Sequence, residues 1–282
     1  MPDDDVIIRR AEGIADYLAC QDAQRRAWGI TDDTYVVPLA TMVGAQLHGG
    51  LVLGAFLPSG EALGLSFAFL GKIEGRPCLY SQLTGVVPGH QGQGLGLRLK
   101  RTQRDFARDE GLACLAWSFD PLQAGNARFN LGYLGATAGR YVADMYGRRS
   151  DALNANAVTD RLIVEWSTLP DPNPDPDPRR PAVAEAAGWP RLVDVRVHPD
   201  GGLEALGTFE VRSGEPVALL EVPADIATMR RDDPARSEAW SLAVRRAFLA
   251  AFAVGYRAEG FLREEAEGRT RCFYVLRAGG RA

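Results

Sequence analysis

A proline-rich run constrains the fold of this 282-residue sequence more than any other feature. Between Thr168 and Pro181 a proline stands at nearly every second position. Each proline lacks an amide donor and pushes the residue before it towards extended geometry, so the run can form neither a helix nor a central strand. We predict a stiff spacer over residues 168–182, which separates a module of residues 1–167 from a module of residues 183–282.

Composition and charge exclude several classes of protein. The formal net charge of −4 has the wrong sign for a nucleic-acid surface. No stretch approaches the ~20 apolar residues of a membrane helix, and the acidic start Met1–Asp5 is unlike a signal peptide, so we expect a cytoplasmic protein with no membrane partner. Four separated cysteines and three histidines indicate neither a disulfide framework nor a metal site.

The first module alternates strand and helix patterns. Antiparallel strands come first and a β-α-β succession follows, which predicts the α/β class with a mixed sheet. The predicted strands cover 6–8, 51–56, 63–69, 78–86, 112–117 and 162–166, and the predicted helices cover 14–28, a segment that ends at 110, and 124–133.

A glycine-rich loop at residues 86–96 carries the most information about function. It follows a predicted strand and opens a helix whose inner stripe is Leu95, Leu99 and Phe106, and whose cations, Lys100 among them, are expected to point mostly outward. Glycines let the backbone approach a ligand closely, and the start of a helix offers unpaired amides at the positive end of its dipole. The loop therefore predicts an anion site suited to a pyrophosphate.

Two common phosphate motifs do not fit the loop. The dinucleotide pattern G-x-G-x-x-G fails because the sixth position counted from Gly92 is Leu97, and no Gly-Lys-Ser/Thr of a P-loop occurs in the sequence.

The pattern that does fit is V-x-P-x-x-Q-G-x-G-x-G, and here the sequence resembles the GNAT superfamily of acyl-CoA-dependent N-acyltransferases. The superfamily's pyrophosphate motif [QR]-x-x-G-x-[GA] is matched by Gln91, Gly94 and Gly96. The resemblance implies a GNAT-like N-terminal domain that uses acetyl-CoA or another acyl-CoA.

The resemblance also implies roles for single residues. The backbone of Thr84 and Val86 would pair with pantetheine, and Tyr133 would be the acid towards the CoA sulfur, with Tyr141 and Tyr146 as alternatives. Leu134-Gly135-Ala136 follows Tyr133 directly and departs from the superfamily's pattern. Further cofactor-binding residues implied in this way are Gln91, Gly92, Gln93, Gly94, Leu95, Gly96 and Asn126, with Arg98 or Arg101 screening phosphate charge.

A general base is missing from the expected place. Many superfamily members carry Glu or His on the strand before the loop, whereas this strand has Ser81 and Gln82, which are better suited to positioning an acceptor. Asp120 and His48 are weak substitutes, since an aspartate before a proline and a histidine in a loop are ordinary turn residues. His90, inside the loop, is expected to face solvent.

The second module predicts a smaller α+β unit. Strands are predicted at 192–197 and 205–211, which pair with each other. A helix begins at Asp233-Pro234, and strands at 217–223 and 271–276 flank it as β-α-β. The module resembles a degenerate half-GNAT without the glycine loop, and it could complete the sheet, shape the acceptor pocket or form a homodimer.

The leading hypothesis is an N-acyltransferase that moves an acetyl or succinyl group to a small amine, including an amino acid. The alternative is a non-catalytic acyl-CoA-binding or regulatory module, which the missing Glu or His favours. A protein-modifying enzyme is the third interpretation.

Overall fold

A computed structural model of the protein describes residues 6–147, 158–169, 186, 188–210 and 215–279. The predicted spacer lies almost wholly outside these residues. The strands of the described part are β1 Ile7–Arg10, β2 Leu51–Phe56, β3 Ala62–Ile73, β4 Arg76–Val86, β5 Cys114–Phe119, β6 Thr137–Val142, β7 Arg161–Ser167, β8 Val193–Val197, β9 Leu203–Thr208, β10 Val217–Val222, β11 Tyr256–Ala266 and β12 Arg269–Ala278. The α-helices are α1 Gly13–Trp28, α2 Leu39–Leu47, α3 Leu95–Asp109, α4 Ala124–Ala127, α5 Ile226–Asp232 and α6 Pro234–Ala253.

The chain forms two compact units, and their division differs from the predicted modules. Unit 1 comprises Met1–Trp117 and Trp166–Pro170, and unit 2 comprises Ser118–Glu165 and Asp171–Ala282. The domain boundaries expected at the proline run stay a prediction.

Unit 1 contains an antiparallel meander followed by one parallel pairing. Strands β1 to β4 pair antiparallel in sequence order, and β4 then pairs parallel with β5. This confirms the predicted α/β class with a mixed sheet. Met42 of α2 and Phe67 of β3 belong to one apolar cluster that also includes α1, while Leu95 anchors α3 in a second cluster with Leu63. The two clusters fix the helices against the strands that lead into the glycine loop.

Unit 2 is built on strands β7, β6, β11, β12 and β10, in that order, with β8 and β9 as a separate hairpin. Helix α6 begins as predicted, because the Asp233 carboxylate accepts a hydrogen bond from the Arg236 amide at 3.0 Å and Pro234 occupies the first turn. The simple β-α-β prediction is wrong, because Gly255, at φ 88°, turns the chain into β11 and β12 returns antiparallel between β11 and β10.

Several elements were not predicted from the sequence. These are α2, β6, α5 and β11. The helical stretch near 124–133 exists, but it divides into α4 and a π-helical turn over Arg128–Tyr133. Within the described residues, no helix is both long enough and apolar enough to cross a membrane.

Candidate active site

The glycine loop joins β4 to α3 in unit 1 and folds on its own hydrogen bonds. The Val87 amide donates to the Leu63 carbonyl at 2.9 Å, which ends the strand pairing. The side-chain amide of Gln91 then donates to the Val86 carbonyl at 3.0 Å, and that of Gln93 donates to the Gly89 carbonyl at 3.3 Å. Both glutamines are thus tied back to the strand side of the loop, and their side chains hold its shape.

Two glycines give the loop its backbone path. Gly92 has φ 77° and Gly94 has φ 86°, which are left-handed conformations that other residues adopt only with strain. A Cβ built at either position would meet no atom within 4 Å. No protein atom therefore stands between a ligand and the loop backbone at these two positions.

Helix α3 starts in this loop with an uncapped N-terminus. Gly94 is the N-cap residue, its carbonyl accepts from the Arg98 amide at 3.0 Å, and no side chain caps the first turn. The first turn also lacks an acidic residue. The amides and the positive end of the dipole of this 15-residue helix are thus available to an anion.

The cations near the loop have separate roles. Arg98 donates to the Val6 carbonyl at 2.9 Å, so it fastens α3 to the segment before β1. Arg101 is exposed on α3, and His90 is half-buried in the loop.

Strand β4 separates from β5 shortly before the loop. The two strands pair at Leu79–Leu115 and Tyr80–Ala116, and no later pair between them occurs among the described residues. On its other side β4 pairs with β3 as far as Val86, with a register shift that leaves Gln82 as the extra residue. Because β4 runs on without β5, its backbone from Gln82 to Val86 presents polar groups along one edge.

A cavity of about 420 Å³ adjoins this part of β4. The described residues that line it carry no formal charge and are mainly apolar. They are residues 34–38, Thr41 and Ala45 of α2, Phe67 and Phe69 of β3, and Gln82 of β4. This pocket is widely open to solvent, and its size and polarity suit a small acceptor with an apolar body.

The prediction that Lys100 points outward from α3 is wrong, because its side chain is buried and the residue is only 5% exposed. Its Nζ donates to Ser81 Oγ at 2.9 Å and lies 3.9 Å from the centre of the Trp117 ring. Burial lowers the pKa of the Lys100 ammonium from its usual 10.5 to about 7. The buried stripe of α3 therefore contains Lys100 and Gln103 beside Leu99.

One feature of the sequence could have indicated Lys100. Among 32 basic residues only Lys72 and Lys100 are lysine, and all others are arginine. A guanidinium stays charged in proteins, whereas a lysine amine can be neutral when buried. A rare lysine on a helix next to a ligand loop therefore deserved a functional interpretation.

The predicted residues that lie in unit 2 are Asp120, Asn126, Tyr133, Tyr141 and Tyr146. Both oxygens of Asp120 are engaged, one by the Arg230 guanidinium at 2.7 Å and the other by the Leu122 amide at 2.9 Å. The predicted role of Asp120 as base stays untested, and its contacts are those of a turn residue.

Asn126 lies in α4, and Tyr133 ends the π-helical turn with 53% of its surface exposed. The Tyr133 hydroxyl accepts from the Arg128 guanidinium at 3.0 Å. Of its two alternatives, Tyr141 donates to Asp160 at 2.6 Å, and its pKa is raised by burial and by that carboxylate. His48, exposed at the end of α2 in unit 1, has the loop position expected of it.

No protein-family model matches the chain, and no curated protein matches it. The structures that it resembles include the protein yncA of Salmonella typhimurium with its cofactor acetyl-CoA, at 24% identity and TM-score 0.45 over 62% of this chain and 99% of that one. A GNAT family acetyltransferase from Elizabethkingia anophelis with acetyl-CoA bound has 15% sequence identity and a TM-score of 0.43, over 58% of this chain and 99% of that one. The ribosomal-protein-S18-alanine N-acetyltransferase from Escherichia coli has 18% sequence identity and a TM-score of 0.43, over 60% of this chain and 97% of that one. These likenesses leave the acceptor of this chain open.

Proposed function

We propose that this chain transfers an acyl group, such as acetyl or succinyl, from an acyl-CoA to a small amine. The observation that carries the proposal is the uncapped start of α3, which opens from a loop with empty space beside Gly92 and Gly94. The backbone amides from Gln91 to Gly96 would hold the diphosphate of CoA there.

The neighbouring parts of unit 1 have complementary roles in this proposal. The free edge of β4, including Thr84 and Val86, would bond the amides of the pantetheine arm and polarise the thioester carbonyl. The cavity beside Gln82 would hold the acceptor, and its uncharged lining favours an amine with an apolar body over a polyamine or a lysine-rich peptide. Bound acyl-CoA supplies the activated acyl group. The roles of Asn126 in cofactor binding and of Tyr133 as the acid remain part of the proposal.

A second candidate is an acyl-CoA-binding module without catalysis. It is favoured by the composition of β4, which between Leu79 and Thr84 carries neither a carboxylate nor an imidazole. Both candidates predict binding of CoA, and only the first predicts release of free thiol.

A thermal-shift panel of CoA, acetyl-CoA, succinyl-CoA, NAD and ATP tests the shared premise. A ligand at 100 times its Kd should add about 2.7 kcal/mol to the free energy of unfolding. Gly94→Glu should abolish the shift given by CoA, because a carboxylate would occupy the phosphate seat. Gly75→Glu is the matched control, since Gly75 also has positive φ (79°) and open space but lies in the β3–β4 turn at the opposite end of β4.

Thiol release from acetyl-CoA in the presence of pooled small amines then separates the candidates. Stabilisation by CoA with thiol release supports the transferase, and stabilisation without it supports the binding module. Stabilisation by NAD alone, or equal loss of the CoA shift in both glycine variants, contradicts the proposed seat.

A further inference from the structure

A buried network of hydrogen-bonded polar side chains connects α3 with β4 in unit 1. Ser81 Oγ lies 2.9 Å from Lys100 Nζ and 3.4 Å from Thr84 Oγ1, and Thr84 Oγ1 lies 2.8 Å from Ser66 Oγ. Lys100, Ser81 and Ser66 are buried, while Thr84 is half-buried on the segment of β4 that has left β5. This network faces α3, on the opposite side of the sheet from Phe67 in the cavity wall, and it meets the proposed site at Thr84, where β4 has left β5.

We infer that Lys100 is the proton acceptor of the proposed transfer, and that the hydroxyls of Thr84 and Ser81 carry the proton to it from the acceptor's ammonium group. The inference rests on the proposed function and supplies the base that β4 itself lacks. Lys100 receives the proton from Ser81 and does not itself contact the acceptor.

The surroundings of Lys100 favour a neutral amine. Among the described residues no carboxylate forms an ion pair with Lys100, and burial lowers the pKa of its ammonium to about 7. The Trp117 ring and the Ser81 hydroxyl are its contacts, and both tolerate a neutral nitrogen.

The two strands that contact Lys100 carry no carboxylate. The titratable residues of β4 and β5 are Arg76, Cys78, Tyr80 and Cys114. On α3 itself Arg101 is exposed, and Arg104 is directed to the carbonyls of Ser167 and Leu169 at 2.7 and 3.0 Å.

The Gln103 side chain can reverse the direction of its hydrogen bond with Ser81. Its Oε1 accepts from Ser81 Oγ at 3.0 Å, while its Nε2 is buried with no hydrogen-bond partner among the described residues. A half-turn of the amide would let Nε2 donate to Ser81 Oγ and release the Ser81 proton towards a neutral Nζ. The Gln103 amide can therefore accept a hydrogen bond from the Ser81 hydroxyl in one orientation and donate one to it in the other.

The protons and bonds balance in this scheme. Thr84 takes one proton from the ammonium, Ser81 takes one from Thr84, and Lys100 takes one from Ser81. The lone pair of the neutral amine nitrogen then forms the C–N bond to the thioester carbon. The C–S bond breaks and leaves its electron pair on sulfur. The second proton lost by the nitrogen protonates the resulting thiolate. After the product leaves, Lys100 returns its proton through Ser81 and Thr84 to solvent at the edge of β4.

Direct titration of Lys100 tests the inference without any acceptor. The chain has only two lysines, so protein labelled with ¹⁵N-lysine gives two Nζ signals, and Lys72→Arg leaves Lys100 alone. We expect the Lys100 Nζ signal to titrate near pH 7. A Lys100 signal that stays charged at pH 9 overturns the inference.

Kinetics with acetyl-CoA and the most reactive amine of the pool give the second readout. Wild-type kcat/KM should rise with pH through an inflection near 7. Lys100→Arg cannot become neutral and Lys100→Met cannot bind a proton, so each should lose about 100-fold or more in kcat and lose that inflection. Lys72→Arg should behave as wild type.

CoA binding separates this inference from the proposed function. Both Lys100 variants should keep the thermal shift given by CoA, because Lys100 lies outside the loop. Full activity with an unchanged pH profile in Lys100→Met overturns the relay and leaves the transferase intact. Absence of a CoA shift in wild type instead contradicts the proposed function.

Discussion

Replacing Lys100 with methionine should raise the stability of the chain at low pH and remove part of its pH dependence. The folded-state pKa of Lys100 is lowered to about 7 from 10.5. The unfolded chain therefore binds more protons than the folded chain between these values, so wild-type stability rises with pH across that window. The cost of the buried ammonium is fully present below pH 7 and vanishes above 10.5.

The magnitude follows from the shift. A difference of 3.5 pKa units, from 10.5 to about 7, corresponds to about 5 kcal/mol. Lys100→Met removes this cost but also loses the hydrogen bond to Ser81 and the contact with Trp117, worth about 1 kcal/mol each. The variant should then be more stable than wild type by about 3 kcal/mol at pH 6, and this advantage should shrink by about 3 kcal/mol at pH 9.

Urea unfolding at pH 6, 7, 8 and 9, followed by tryptophan fluorescence, measures this difference. Lys72→Arg serves as the control, because it replaces the other lysine of the sequence at an exposed position outside the buried network. If the difference in free energy of unfolding between Lys100→Met and wild type stays constant from pH 6 to 9, the lowered pKa of Lys100 is refuted. A methionine variant that is less stable than wild type at pH 6 would show that the buried ammonium is held by more than the described contacts.

Two further predictions concern packing and a buried ion pair. Gly85→Ala should cost about 1–3 kcal/mol in the urea-derived free energy of unfolding, because the new Cβ would overlap the Trp28 ring, and an unchanged value would contradict this close contact. Asp160→Ala should cost about 3 kcal/mol, since Arg245 and the Tyr141 hydroxyl would lose their buried acceptor. The lowered pKa of Asp160 makes this contribution fade as pH falls below about 4, so equal losses at pH 7 and pH 3 would contradict it.

Local chemistry explains why the loop could be predicted from the sequence. Gly92 and Gly94 specify positive φ by themselves, and the apolar residues Leu95 and Leu99 fix the side on which α3 packs. These features depend on neighbours within one or two turns. For the same reason the start of α6 at Pro234 was predicted with its capping aspartate.

The features that escaped prediction depend on distant contacts. Lys100 follows Leu99 directly on α3, and whether its stem lies inward depends on the space left by Ser81 and Trp117 on two other strands. Strand β11 mixes charged and apolar residues, so its identity comes from pairing with β12. The uncharged cavity likewise arises from three separate segments.

The central claim is that the diphosphate of CoA binds at the start of α3, and amide chemical shifts test it most directly. In ¹⁵N-labelled protein titrated with CoA, the amides of Gly92, Gly94 and Gly96 should shift downfield together and saturate at one Kd, while that of Gly75 should stay in place. Saturable CoA binding that leaves these three amides unmoved would contradict the account.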